Sequence, residues 1–303
     1  MLTKDVDQRV DRLNSASLRR VIEPDHALPG QIGTGQILPD DLLSVAGLDL
    51  DLTPEQKAVL SREEVASIAQ AGVNFEAVLM AGFSLRVVDS HDLTDPRVSY
   101  LLHEVGEETR HSRLFVRMIE QLEPTAKNPF ARGIQSWLMR RGVRRVISLP
   151  SLFFTLVLGG EEIPDLVQKL ACEHPDTDPF VREVNRYHRQ EEARHLAFAR
   201  IVLPETWRDA SVIDRLAVKF VAPLIVGQMF DQLVHPGVYE TVGLPGFDTW
   251  KRVRQLPKRV ALRHEATRSV LRALVDAEVL VKGRIPRGWQ RLCGVDRSAE
   301  PTS

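Results

Sequence analysis

Glu107-Glu108-Thr109-Arg110-His111 returns as Glu191-Glu192-Ala193-Arg194-His195, displaced by 84 residues and changed at one position. Each copy holds a Glu-x-x-His pair, Glu108 with His111 and Glu192 with His195, within a stretch of helical apolar spacing. A helix turns about 100° per residue, so positions three apart share a side. Each copy therefore aims a carboxylate and an imidazole at one point. Both donor types suit iron, manganese and related cations. Two such helices point to a buried site for two metal ions.

A site of that kind takes one more carboxylate from each of two further helices. Thr53-Pro54-Glu55-Gln56 reads as a helix start: Thr at the cap, Pro at the first position, Gln three residues on. The following stripe, Val65, Ile68, Gly72, Phe75, Leu79 and Phe83, carries Glu76 at its edge. This helix is expected to run toward Val88, with a break near Ser61. A later helix from Pro150 leads through Phe154, Val157 and Leu158 to Glu161. Glu162 is the alternative to Glu161, and Glu63 and Glu64 are outer alternatives to Glu76. The order is then Glu, Glu-x-x-His, Glu, Glu-x-x-His, which is what two copies of a helical hairpin give. Four carboxylates would balance two divalent cations. His188, Glu192 and His195 stand at about 0°, 40° and −20° on their helix. His188 thus becomes a seventh donor, with packing or orientation of a neighbour as its alternative role.

No stretch alternates with period two, so the expected fold is all-α: a ferritin-like four-helix bundle core with additional N- and C-terminal helices. Three segments follow: 1–54, irregular and wrapping the surface apart from a short helix near Val6–Val21; 55–283, the bundle; and 284–303, a tail. The other bundle helices are expected at about 96–121, 152–170 and 179–201, with Pro164 kinking or ending the third. A connecting helix is expected at about 130–145, and two more helical stretches at 207–234 and 256–281.

Forty Lys and Arg against 41 Asp and Glu give no basic excess for nucleic acid, despite the local run Arg140-Arg141-Gly142-Val143-Arg144-Arg145. Two cysteines fit a reducing, cytoplasmic setting. The N-terminus has no apolar signal region, and the longest apolar run, 149–160, falls short of the roughly 20 residues a membrane span takes.

Glu107 to Phe115, Gly160-Glu161-Glu162-Ile163 and His188-x3-Glu192-x2-His195 resemble the p-aminobenzoate N-oxygenase family. The resemblance covers about residues 55–280. It implies a ferritin-like diiron oxygenase domain and a homodimer that uses dioxygen to oxidise an aryl amine toward hydroxylamine, nitroso or nitro products. It implies metal ligands Glu76, Glu108, His111, Glu161, His188, Glu192 and His195. Two iron ions are the expected cofactor, and manganese accepts the same donors. No Gly-x-Gly-x-x-Gly sequence is present, so electrons are expected from an external donor such as a ferredoxin and its reductase. Two rival readings share the donors. The acyl-carrier-protein desaturases resemble the Glu-Glu-x-Arg-His motif but lack a donor at the position of His188; a non-catalytic iron- or manganese-binding protein would need no organic pocket. Arg110 and Arg194 are expected in ion pairs between helices, and Glu104 and Asp165 as candidates for orienting a ligand.

Overall fold

A computed structural model describes residues 2–131 and 141–296. Its centre is two long hairpins, α3 (Pro54–Val88) packed along α4 (Pro96–Leu122), and α6 (Pro150–Glu173) packed along α7 (Pro179–Arg208). Among the described residues there is no strand, only an isolated bridge between Ala46 and Leu48. The all-α bundle expected from the sequence is what the chain forms.

Local chemistry fixes the helix ends. Thr53 and Gln56 form the reciprocal capping box at the start of α3: Gln56 N–H donates to Thr53 Oγ1 at 3.3 Å, and Thr53 N–H to Gln56 Oε1 at 3.0 Å. Asp178 caps α7 through Phe180 and Val181 N–H. The N-terminus of α6 is capped from a distance, by buried Asp214, which accepts from Ser151 and Leu152 N–H at 2.9 Å each.

Several boundaries differ from the periodicity reading. α3 is unbroken at Ser61, whose hydroxyl donates to Ala58 O and accepts from Ile37 N–H. That serine clasps the N-terminal segment instead of interrupting the helix. Pro164 lies inside α6, and Pro204 inside an α7 that continues past Ile201 to Arg208. From residue 20 to residue 53 the chain is non-helical, as expected, apart from α2 (Pro24–Ala27). It is more than a surface wrap, however, because it buries Leu28, Ile37, Leu38, Leu43 and Val45. α1 (Leu2–Arg19) packs on α4 and α7. Of the expected connecting helix, residues 132–140 lie outside the described residues. Its flanks are a 3-10 turn, Pro129–Ala131, and α5 over residues 141–147.

The 207–234 stretch is divided into α8 (Val212–Leu216), a π turn at Ala217–Val221 and α9 (Ala222–Asp231), which Pro223 helps to start. α10 (Pro236–Glu240) and α11 (Gly246–Gln255) follow, then α12 (Pro257–Asp276). The expected tail holds α13 (Arg287–Cys293), whose Trp289 is fully buried and donates its indole N–H to Val218 O at 3.1 Å. By length and apolarity alone α3 matches a membrane span. Its buried side, though, carries Glu63, Glu64 and Glu76.

Two apolar cores divide the bundle. One joins Leu79 and Phe83, Tyr100 and Leu101, Leu152 to Ile163, and Leu196 to Trp207. The other joins Leu60 to Ala69, Leu114 to Leu122, Ala171, Phe180 to Tyr187 and the N-terminal segment. On α3, α4 and α7 the predicted donors fall between the stretches that feed the two cores, at Glu76, at Glu108 and His111, and at His188 to His195, whereas Glu161 on α6 lies within the first core's stretch, between Leu158 and Ile163. Apolar packing above and below holds a polar layer that could not be buried alone.

Candidate metal centre

The structure brings all seven sequence-predicted donors into that layer. Each is buried, from Glu108 and His111 at 0% exposure to Glu76, Glu161 and His188 at 3%. They form two overlapping sets, Glu76, His111, His188 and Glu192 on one side, and Glu108, Glu161, Glu192 and His195 on the other. Within each set the donor atoms lie within 4.8 Å of one another. Glu192 belongs to both.

The contacts define which ring atoms face inward. His111 Nδ1 lies 3.1 Å from Glu192 Oε1, 3.3 Å from Glu108 Oε2 and 3.7 Å from Glu76 Oε2. His195 Nδ1 lies 2.9 Å from Glu192 Oε2 and 3.3 Å from Glu108 Oε1. His188 enters through its other nitrogen, with Nε2 3.3 Å from Glu76 Oε1 and 3.4 Å from Glu192 Oε1. Glu161 faces the layer, whereas Glu162 turns outward to Arg200. Glu63 and Glu64 are occupied elsewhere: Glu63 accepts from Thr125 and Ala126 N–H, and Glu64 from Ser44. Gly160 allows the close approach of α3 here. A Cβ on it would collide with the ring of Phe75, beside Glu76.

The donor layer fits cations. Glu76 Oε2, Glu108 Oε1, both Glu192 oxygens and His195 Nδ1 are buried without an aligned hydrogen-bond partner. Packed carboxylates repel, so burial first and Glu76 second push Glu108 up to about 8. Burial, with Glu192 and Glu108, likewise pushes Glu161 well up. Glu192 is held well down, because His195 and His188 outweigh its burial. Burial also brings His188 down to about 4, favouring the neutral imidazole that binds metals. Two cations would relieve the repulsion and satisfy the open oxygens.

Around this layer sit residues that orient it. His195 Nε2–H donates to Glu107 Oε2 at 2.8 Å, which turns Nδ1 toward Glu108 and Glu192. Burial would raise Glu107, but His195 and Arg194 hold it down to about 2. Arg194 bridges Glu107 at 3.0 Å and Glu191 at 2.8 Å, and Arg110 approaches Glu191 at 3.7 Å. The arginines of the repeated pentapeptide thus bind its first glutamates, in the helix-linking role expected. Asp165 instead accepts from Arg189 Nε at 2.7 Å and orients no donor histidine. Gln168, which periodicity did not single out, takes that role: its Oε1 lies 3.0 Å from His188 Nδ1. Glu104, 1% exposed, places Oε2 3.3 Å from His195 Nδ1. Its carboxyl is pushed well up by burial first, opposed by His195 and reinforced by Glu108 and Glu107.

A cavity of about 1050 Å³ adjoins the layer. Its walls are chiefly apolar, with Ile68, Phe75, Leu79, Phe153 and Val157 among them, and Glu76, Glu161 and His188 face into it. Glu64 and Arg259 lie on the same wall system.

A four-helix bundle with paired Glu-x-x-His helices and two further inward glutamates is the arrangement of ferritin-like dimetal-carboxylate proteins, and these buried groups could hold metal ions. Residues 4–278 match the family of p-aminobenzoate N-oxygenase AurF, and the chain belongs to that family of diiron oxygenases. It is also similar to Uncharacterized protein Mb0909 of Mycobacterium bovis and Uncharacterized protein Rv0885 of Mycobacterium tuberculosis. Each is 28% identical over 172 residues, covering 56% of this chain and 50% of the relative. The chain thus spans about half the length of the curated relatives it matches.

Proposed function

We propose that the protein is a diiron monooxygenase that inserts oxygen from dioxygen into the nitrogen of an aromatic amine. The observation that carries this reading is His188. A third imidazole joins the two Glu-x-x-His pairs and faces a cavity large enough for an aromatic ring. In this reading Glu76, His111, His188 and Glu192 hold one iron, and Glu108, Glu161, Glu192 and His195 the other. When bound, the iron pair supplies dioxygen reduction and oxygen transfer, which protein side chains do not perform.

The chain's own residues do the rest. Four carboxylates match the charge of two divalent ions, and neutral His188 adds a donor without adding charge. Phe75, Leu79, Phe153 and Val157 offer an apolar wall to a ring and exclude water from the donor layer. Forming a hydroxylamine from an amine takes one oxygen atom from dioxygen and releases the other as water, with two electrons and two protons from outside. A ferredoxin with its reductase fits that need. A homodimer and a cytoplasmic location belong to the same reading.

The test is single-turnover oxidation by iron-loaded, pre-reduced protein of a panel of aryl amines under isotopically labelled dioxygen. Labelled hydroxylamine, nitroso or nitro product is expected. Oxygen consumption with every amine unchanged would overturn the N-oxygenase reading in favour of a metal-handling protein. Capture of acyl carrier protein with fatty-acyl desaturation would favour the desaturase-like one.

A further inference from the structure

The 84-residue displacement extends beyond the pentapeptide. Counted back from His188, it falls on Glu104, so the first copy reads Glu104-x3-Glu108-x2-His111 against His188-x3-Glu192-x2-His195. The two positions lie one turn before the inward glutamate on equivalent helices, α4 and α7. His188 reaches the set that contains Glu76 and His111. Under the approximate two-fold relation of the hairpins, its counterpart should reach the set that contains Glu161 and His195. Glu104 Oε2 approaches that set through His195, lying 3.3 Å from His195 Nδ1, the same nitrogen that faces Glu108 and Glu192. Both Glu104 oxygens are fully enclosed without an aligned hydrogen bond, and among the groups that act on the carboxyl are His195 and the Tyr100 hydroxyl. Tyr100 beside it is 0% exposed, and its hydroxyl likewise makes no aligned hydrogen bond.

We propose that Glu104 is an eighth protein ligand, bound to the metal that His195 holds and completing there the position His188 completes on the other metal. The inference rests on the dimetal reading above. It makes the halves equivalent in geometry and unequal in charge. One metal gains a neutral nitrogen and the other an anionic oxygen. Five carboxylates exceed the charge of two divalent ions and fall short of two trivalent ones, so Glu104 favours the more oxidised pair. It also gives a buried carboxylate that makes no aligned hydrogen bond a cation to bind.

Cobalt(II) titration of the metal-free full chain, followed by its visible spectrum, tests this without turnover. Wild type is expected to take up two ions per chain in two steps. Glu104→Gln should weaken one step by at least roughly ten-fold and leave the other unchanged, since even outer supports of a metal site cost that much. Glu104→His, which makes the two copies alike, should restore both steps with an altered spectrum. Two ions bound by Glu104→Gln with wild-type affinities and spectrum would overturn the proposal and leave the dimetal reading standing. Failure of wild type to bind two ions would overturn both. Should Glu104→Gln not fold, a crystal structure of manganese-loaded wild type decides. A Glu104 oxygen within roughly 2.5 Å of the second ion supports ligation; one turned to Tyr100 and beyond that reach makes it a buried neutral acid.

Discussion

Gln168 Oε1 lies 3.0 Å from His188 Nδ1, and this one contact fixes which nitrogen of His188 faces the donor layer. An amide oxygen only accepts, so the proton sits on Nδ1 and the Nε2 lone pair points to Glu76 and Glu192. Removing the acceptor frees the ring and leaves a buried N–H unpaired. Gln168→Leu is expected to lower metal affinity by roughly 10- to 100-fold. Gln168→Glu, which keeps an acceptor, should retain most of it. Iron(II) titration of both variants measures the difference; equal affinities would show that His188 is held by packing alone.

Glu107 ties the second histidine to the arginine pair. It accepts from His195 Nε2 and from Arg194, both nearly inaccessible to water. Glu107→Ala leaves Arg194 with Glu191 alone and removes the acceptor of His195. Breaking a buried pair from one side costs about 3–5 kcal/mol. Urea unfolding of the metal-free protein should show a loss of that order, and a change below about 1 kcal/mol would mean that Glu191 suffices.

The donor set was legible because it is local. Glu108 and His111, or His188, Glu192 and His195, sit on one helix, and 3.6-residue periodicity tells which side each faces. Glu76 and Glu161 were readable for the same reason, as polar residues on apolar stripes. Gln168 was not readable, because it matters only through the face α6 turns to α7, and spacing within one helix does not encode that. Ser61 and Trp289 illustrate the same limit. A serine in a long helix reads as a break until its partner Ile37 is known. A basic segment with Pro and Gly reads as a tail until its tryptophan is seen to bond Val218.

Glu64 gives a pH dependence separate from the metal layer. Its carboxylate accepts from Ser44 N–H and Oγ–H, but burial prevails over those bonds and over Arg259, and it is pushed up to about 7 from an ordinary 4.5. A carboxyl raised in the folded state binds its proton more tightly there than in the unfolded chain. Its stabilising contribution is therefore full below 4.5 and is lost as pH rises through 7. At about 1.4 kcal/mol per unit the loss between pH 5 and pH 8 is about 2–3 kcal/mol. Glu64→Gln cannot titrate and should lack that part of the decline. Urea unfolding of both metal-free proteins at the two pH values reads the difference directly; parallel declines would show that Glu64 stays ionised throughout.

Arg259 sets an expectation for the substrate. It lines the cavity that reaches Glu76 and His188, with Cζ 4.5 Å from the ring centroid of Phe230. Among the described residues it makes no hydrogen bond or ion pair; Glu64, Tyr239 and Asp231 act on it only at longer range. Burial pushes its guanidinium below its ordinary value, against the opposing pull of Tyr239, Glu64 and Asp231. An anionic group on a bound amine would supply the missing partner through a charge-assisted bond worth about 1.5–3 kcal/mol. Arg259→Met is thus expected to raise KM roughly 10- to 100-fold for an aryl amine that carries a carboxylate. The same substitution should change KM little for its uncharged analogue, and kcat little for either. Paired steady-state measurements on the two amines decide the matter: an equal rise for both would assign Arg259 to the wall of the cavity and remove any preference for an anion.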